Sequence, residues 1–579
     1  MHLPQIQAIT NAEFVQMMGR CRPPTGWPTT LAVASSAGPD SHCLLYLLRR
    51  MIDLKPKDVH GFHGRLPDAI VSFHVNHNLQ ANAPKMALAA SNTATRFKVA
   101  SHVELDVRWG EAPFPARPRD GDAVETLARN ARYQLMFDEM VRRNLHVLAV
   151  GHHADDQVET VLMRLGAGSS MLGLGGMRPL RRFGMSLGKG ANDFGWFGHE
   201  GLNRWVVRPL LEVSKDRILE TCHLHRIHYV LDHTNFQPEL TLRNALRHVL
   251  ASKEKKPHPA RLNPPSSLPP VLADQITRIK TASENMNTPV PIDFMSSRQN
   301  LREAVRCLSR NLSDIESRAS AFLSRFSVQT PPGTFILTSD KLSTVVTDPL
   351  VQIAMVLRIL RYISPHPWGS TRAQANRRSE RLQHIVERVW DPDPVSSARA
   401  GFGAGANVLW TPFRISQDGK LKHRQPRSGE RFGWLASRAL PPRHCWSESD
   451  HDISALLTAS SRQYAEILHD NRFLVSFRLS GIPAGDPIMA SVEEGSGRVF
   501  IVLGGRWLWP KVIWRREGQE DVTIAQITVS ELDWYEPPPG VRKNYSTRPH
   551  PVLFEEVEEA CPSWQDIVNF KFIRVLDEP

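Results

Sequence analysis

The sequence predicts an α/β fold with a parallel sheet, followed by a helical segment and a smaller β-containing C-terminal domain. Three observations lead there. From residue 29, short apolar runs alternate with stretches of helical spacing, the pattern of a parallel sheet covered on both faces. A proline-rich stretch from Pro257 to Pro270, following Lys253, Lys255 and Lys256, interrupts that pattern. Beyond Asn407, aromatic and β-branched residues take over.

Leu31 to Ala34 is an apolar run that stops at a turn, and His42 to Arg50 carries leucines at helical spacing. Ala69 to Val75 and Val99 to Val107 read as the second and third strands, Ala123 to Arg143 as a long helix, and Val147 to Val150 as a fourth strand. Asp155 to Leu165 reads as a helix and Tyr229 to Leu231 as a late strand. Glycine is so dense between Gly166 and Gly201 that mobile loops are expected there. The expected division is an N-terminal extension over 1–28, a catalytic domain over 29–250, a Lys/Pro-rich linker over 251–275, a helical region over 276–400 and a β-containing region over 401–579. In the helical region, Ile276 to Phe326 and Val351 to Ile363 have helical spacing. In the last region, Asp418 and Gly419 mark a hairpin turn.

At 579 residues the chain is too long for a small stapled scaffold and has material for about three domains. Its 71 Lys and Arg exceed its 59 Asp and Glu, for a net charge of +12, which favours a polyanionic partner such as RNA. The six cysteines form no CxxC pair, so a zinc knuckle, a dithiol redox site and an iron–sulfur cluster are not expected, and free thiols in a reducing compartment are. No apolar run is long enough to span a membrane. The first thirty residues hold Arg20, Arg22 and one acid, Glu13, a composition compatible with a short organelle-targeting segment.

Four segments carry chemistry. In SAGPDS, Ser36, Ala37, Gly38, Pro39, Asp40 and Ser41 lie between the first strand and first helix, where backbone N–H groups and hydroxyls can cradle phosphate and Asp40 can hold magnesium. An ordinary capped turn is the alternative. In HVNH, His74 and His77 more readily close a loop than bind metal. GHHADDQVET places Asp155, Asp156 and Glu159 at i, i+3 and i, i+4 spacing, able either to hold a cation or to complement the helix dipole. RPLL, from Arg208, and DHTNFQPELTLRNALR add Asn235, Arg243, Asn244 and Arg247, suited to phosphate or a base edge, or to a salt-bridged helix.

Taken in order, LAVASSAGPDS, HVNH, ETLARNARYQ, GHHADDQVETVLMRLGAGSSMLGLGGM, RPLL and DHTNFQPELTLRN resemble the tRNA(Ile)-lysidine synthase family of PP-loop ATP pyrophosphatases, over about residues 29–250. The resemblance implies a PP-loop ATPase domain. It implies that ATP activates oxygen 2 of the first anticodon cytidine of an isoleucine tRNA with a CAU anticodon, and that the side-chain amine of free L-lysine then displaces AMP. It further implies that Ser36, Gly38, Asp40 and Ser41 bind ATP and its Mg2+, that Asp156 and Glu159 hold magnesium or the lysine ammonium, and that Arg243 stabilises phosphate or the adenylated base. Asp40, Asp156, Glu159 and Arg243 are thus the expected catalytic residues, with Asp40 and Asp156 on the metal. A carboxylate, His152 or His153 is left to serve as the base.

The family's phosphate loop reads SGGxDS, and here Ala37 replaces the first glycine. If that position needs φ > 0, the methyl group costs about 1 kcal/mol. Alternatives are a tRNA thiolase, whose cytidine-directed forms use paired cysteines, an amide-forming synthetase, and a catalytically silent tRNA binder. The basic clusters Arg372, Arg377, Arg378, Arg381 and Lys420, Lys422, Arg424, Arg427, the latter near Trp434, are expected to track RNA phosphates. A mitochondrial site is expected from the fungal-type insertions, with the cytoplasm as alternative. A homodimer is compatible, and no membrane partner is expected.

Overall fold

The computed structural model describes residues 6–54, 65–80, 82–119, 122–188, 194–255, 268–285, 292, 296–328, 330–339, 341–370, 373, 379–391, 401–415, 421–422, 431–441, 450–458, 463–505, 507–527 and 562–576. The chain divides into two units, Met1–Asp314 and Ile315–Pro579.

The first unit is built on a six-stranded sheet ordered β3-β2-β1-β4-β6-β5. Its strands are β1 Thr30–Ala34, β2 Ala69–Asn76, β3 Ser101–Asp106, β4 Val147–Ala149, β5 Leu180–Arg182 and β6 Trp205–Val207. All pairs are parallel except β5 with β6. Its helices are α1 Asn11–Arg20, α2 Pro39–Asp53, α3 Ala83–Arg96, α4 Val124–Arg142, α5 Ala154–Gly166, α6 Lys215–Leu224, α7 Leu242–Lys255 and α8 Pro270–Glu284, with α9 Arg298–Phe326 crossing the division.

Side chains on β1 alternate between two cores, as the pleat requires. Leu31 and Val33 face one layer with Leu44, Leu47 and Leu48 of α2, whereas Ala32 faces the other with Tyr133, Met136, Phe137 and Met140 of α4. Strand order reverses about β1, since β2 lies on one side of it and β4 on the other. A crevice for ligand therefore opens beyond the carboxyl ends of β1 and β4, where SAGPDS and GHHADDQVET begin.

Several expectations are corrected. Within the expected N-terminal extension 1–28, the described residues 6–28 are not an appendage: Ile9, Phe14, Val15, Met17, Met18, Cys21 and Trp27 belong to the same core as β1 and α2. Glu13 both completes a capping box with Thr10 and pairs with Arg217 of α6. Tyr229–Leu231 is not a strand, although the Val230 N–H donates to the Ala37 carbonyl at 2.9 Å. The missing strand is β6, only three residues long and too short to show a period. The glycine-rich stretch contains β5 and a 3-10 turn at Met171–Gly173. Helix α7 runs to Lys255, and α8 with the first turns of α9 packs in one apolar cluster with α5 and α7, so the first unit extends past 250. The heart of the expected linker, 257–267, lies outside the described residues.

In the second unit, β7 Thr334–Thr338 pairs with β9 Arg431–Arg438, which pairs with β8 Val408–Ile415, all antiparallel. This sheet draws on both sides of the boundary expected at 400. Further antiparallel sheets follow: β10 Ala465–His469 with β11 Phe473–Phe477, and β12 Gly497–Gly504 with β13 Trp509–Arg516. Trp434 is buried at 1% exposure against Phe402 and Phe432, so it is a core residue and offers no ring to RNA. Arg372, Arg377, Arg378, Lys420, Arg424 and Arg427 lie outside the described residues, and Lys422 is described only as part of a short strand. Arg381 is exposed on the helix Ser379–Val389.

Candidate active site

The turn after β1 is held by its own hydroxyls. Ser41 Oγ accepts from the Ser36 N–H at 3.2 Å and donates to the Gly38 carbonyl at 3.0 Å. Ser36 is exposed, and its hydroxyl lies 3.3 Å from that of Ser41. Gly38 caps α2 without a side chain, and Pro39 at the first helical position needs no N–H partner. The first turn of α2 therefore presents N–H groups and the positive end of its dipole to the crevice. Ala37 is fully buried with φ = 61°, the left-handed conformation that glycine accepts without cost.

The β4 turn closes on this loop. A Cβ on Gly151 would stand 3.0 Å from the Asp40 carbonyl carbon and oxygen, so any larger residue would push the two turns apart by a few tenths of an ångström. Beyond it, His153 caps α5: its Nδ1 accepts from the Asp155 N–H at 3.2 Å, while its own N–H donates to Asp156 Oδ2 at 3.1 Å. His153 Nε2 lies 3.6 Å from both Asp40 Oδ1 and Asp156 Oδ2, so the two loops converge on one imidazole. With its Nδ1 lone pair already used, His153 is a poor base.

The three acids of α5 are buried, at 8%, 7% and 3% exposure for Asp155, Asp156 and Glu159, so each needs a partner. Arg247 supplies two of them, donating from Nε and Nη2 to the two oxygens of Glu159 at 2.6 and 3.0 Å and from Nη2 to Asp156 at 3.1 Å. Asp155 turns away to Arg302 Nη2 at 2.7 Å and to the Lys215 N–H at 3.0 Å. Of the two or three acids expected to converge, Asp156 and Glu159 do so, on Arg247. Burial acts to raise the Asp156 carboxyl, but His153, whose main-chain N–H bonds it, and Arg247 outweigh that and hold it well below the usual range. For Glu159 burial wins over Arg247, and its carboxyl is raised. Glu159 is thus the acid of the pair that more readily takes a proton.

Arg243, the expected catalytic arginine, stands 3.7 Å from Glu159 and 3.6 Å from Glu125, and its buried Nε makes no hydrogen bond. Arg247 has the direct contacts instead. Lys215 was not singled out by the sequence; its Nζ bonds Asp40 Oδ1 at 2.5 Å, placing a cation at the phosphate turn. It is the first residue of α6, just after the RPLL segment, which is the one sequence signal that pointed near it. Asn244 serves the fold, donating to the Thr234 and Gln237 carbonyls at 2.7 and 3.1 Å, and the side chain of Asn235 lies outside the described residues.

No group of three or more potential metal ligands occurs among the described residues. His74 Nδ1 donates to the Ser35 carbonyl at 2.8 Å, closing the loop as expected, and burial, with Arg132 nearby, pushes the His77 imidazole down to about 4. Asp40 and Asp156, which approach the same imidazole, fit a magnesium ion carried in largely by phosphate oxygens, the usual mode for that ion.

The glycine-rich segment is tied to α5. The Met177 N–H donates to Gln157 Oε1 at 2.6 Å and Gln157 Nε2 donates to the Met177 carbonyl at 2.9 Å. Arg164 Nη1 donates to the Gly173 and Gly176 carbonyls at 2.8 and 2.7 Å. At Gly176, with φ = 74°, a Cβ would meet Gln157 Oε1 at 2.7 Å.

Residues 11–254 match the family model of the PP-loop domain. Over 233 residues the chain is 30% identical to the tRNA(Ile)-lysidine synthase of Bacillus subtilis, covering 40% of this chain and 41% of that protein. It is 30% identical over 223 residues to the probable tRNA(Ile)-lysidine synthase of Schizosaccharomyces pombe, covering 38% and 44%. The chain thus spans less than half the length of the curated relatives it matches. Among solved structures, the U34-tRNA thiolase NcsA from Methanococcus maripaludis aligns with a TM-score of 0.31 and 13% identity, over 54% of this chain and 89% of that one, a likeness on which nothing further rests. By its motifs, its sheet order and these comparisons, the chain carries over residues 11–254 a PP-loop domain similar to that of tRNA(Ile)-lysidine synthases.

Proposed function

We propose that this protein is a tRNA(Ile)-lysidine synthetase, a ligase that spends ATP to join lysine to the first anticodon cytidine of an isoleucine tRNA with a CAU anticodon. The observation that carries the reading is the meeting of the two loops at His153, with a phosphate turn on one side and a buried pair of acids on the other. ATP supplies the activating group: oxygen 2 of cytosine is a poor leaving group until it bears AMP. The first turn of α2, Ser36 and Lys215 provide donors and positive charge for the triphosphate. Magnesium, held by Asp40 and Asp156 with phosphate oxygens, would offset charge as the α-phosphate is attacked.

Asp156 and Glu159 suit the lysine ammonium, with Glu159 placed to take its proton before attack, because its own carboxyl is raised. Arg243, loosely paired, has guanidinium donors to turn toward a phosphate or the adenylated base, whereas Arg247 holds the acids in place. The net charge of +12 favours a nucleic-acid substrate.

Pyrophosphate release tests the activation step. Purified protein with ATP and magnesium should release pyrophosphate only when the CAU-anticodon tRNA is added, with or without lysine. Release that is independent of tRNA, or absent altogether, would contradict the reading.

A further inference from the structure

The two histidines after β4 are placed differently. His153 is fastened to the backbone of α5, as described above. His152 instead accepts a hydrogen bond at Nδ1 from Arg208 Nε, at 3.1 Å. A guanidinium has no acceptor, so this contact requires an unprotonated Nδ1. An imidazole that is neutral with a bare Nδ1 carries its proton on Nε2. Arg208 is itself fixed: it is 2% exposed, its Nη1 donates to the Arg178 carbonyl at 2.8 Å, and its main-chain N–H donates to the Pro179 carbonyl at 2.8 Å. It therefore cannot swing aside to leave Nδ1 free without breaking bonds to the segment that leads into β5.

The surroundings also disfavour a cationic ring. Burial and the neighbouring charge of Arg208, with Arg129 and Arg132 further off, push the His152 imidazole well below its ordinary value, against the pull of Asp156. A neutral imidazole kept as a donor is a known catalytic device, since it polarises an oxygen without having to lose or gain a full charge first.

We propose that Arg208 is a positioning residue that locks His152 as a neutral Nε2–H donor, and that His152 gives a hydrogen bond to an oxygen that gains negative charge in the β1–β4 crevice, rather than acting as a base. The lock follows from the Arg208 contact, whereas the substrate oxygen rests on the function proposed above. A base would need a vacant lone pair, and His152 has none: Nδ1 is occupied and Nε2 bears the proton.

Two measurements on the full chain test this. Selective 15N-histidine labelling and two-bond 15N–1H correlation spectra, with His152 assigned by its loss in a His152→Gln variant, report the tautomer directly. The expected result is a protonated Nε2 and a bare Nδ1 at neutral pH, with Arg208→Met shifting the Nδ1 resonance and populating the other tautomer. An Nδ1-protonated or doubly protonated ring in the unaltered chain would overturn the lock.

The second measurement compares two amides. His152→Gln sets an amide N–H near the place of Nε2, while His152→Asn sets it near Nδ1. Pyrophosphate release should stay within about tenfold of the parent for Gln and fall by about a hundredfold or more for Asn, with KM for ATP little changed. Equal losses in both would overturn the donor role. A chain that shows the expected tautomer yet never turns over with tRNA would refute the functional reading and the donor role while leaving the lock; a wrong tautomer in an active enzyme would refute the lock alone.

Discussion

At Ala37 the chain departs from the first glycine of the SGGxDS loop it resembles and still adopts the conformation that glycine favours, φ = 61°. The methyl group is tolerated because it is fully enclosed and the Ala37 carbonyl is fastened to the Val230 N–H. Relief of about 1 kcal/mol of local strain in Ala37→Gly is partly cancelled by the freer unfolded chain, so stability should change by less than about 1 kcal/mol while turnover is kept or raised. Ala37→Val should cost about 1–3 kcal/mol, because a branched side chain at positive φ is also forced into a filled core. Thermal unfolding and pyrophosphate release check both. A glycine variant with much lower activity would show that the loop's shape here differs from that of an SGGxDS loop.

The same scale shows what the motifs did and did not reveal. SAGPDS announced its turn because Gly, Pro, Asp and Ser each have a local reason to be there. Lys215, Arg247 and Arg302 meet their acids only through the fold, across 175, 88 and 147 positions of sequence. Spacing could not choose between Arg243 and Arg247, one turn apart on α7; the three-dimensional contacts do.

Among the elements, α5 does most to assemble the crevice. Its N-terminus brings His153 and Asp156 to Asp40, Gln157 and Arg164 grip the glycine-rich segment, and Asp155 reaches Arg302 on α9. Glycine density alone suggested mobility in that segment; the grip depends on side chains of another element, which local composition does not display. Gly176→Ala should therefore loosen the segment and lower the melting temperature by a few degrees, through strain at φ = 74° and a clash with Gln157.

The Asp155–Arg302 pair carries a pH signature. Burial acts to raise the Asp155 carboxyl, but Arg302 more than compensates and lowers it below its ordinary value. A carboxyl lowered on folding adds stability that is present above about pH 4 and is lost as pH falls further. Arg302→Met should cost about 1–3 kcal/mol at neutral pH, because buried Asp155 keeps the Lys215 N–H but has only the more distant Arg298 as counter-charge, and should flatten the acid limb of stability below pH 4. Denaturant titrations at several pH values check this. An unchanged acid limb would mean the pair contributes nothing to acid unfolding.

For the whole molecule, strand and helix alternation was enough to give the parallel sheet and the place of its crevice, because each period is local and repeated. Domain limits were less legible. Helix α1 joins the catalytic core through Phe14 and Met18, α8 packs so closely on α5 that a Cβ at Gly166 would meet Ile279 at 2.5 Å, and β7 joins a sheet completed nearly a hundred residues later. Such partners leave no mark on composition. The positive balance of +12 belongs to this scale too, since phosphate contacts release counterions. Arg377→Gln with Arg378→Gln should weaken tRNA binding and make its dependence on salt shallower by about one to two in log–log slope, measured by filter binding across salt. An unchanged slope would remove that segment from the RNA surface.

The most direct measurement of the central claim is lysine transfer. The full chain is incubated with ATP, magnesium, labelled lysine and the CAU-anticodon isoleucine tRNA, and label is counted in the RNA, with Asp40→Ala alongside. The expected result is ATP-dependent incorporation that Asp40→Ala abolishes while tRNA binding persists. No incorporation by the unaltered chain, with tRNA still tightly bound, would contradict the account and make this chain a silent binder.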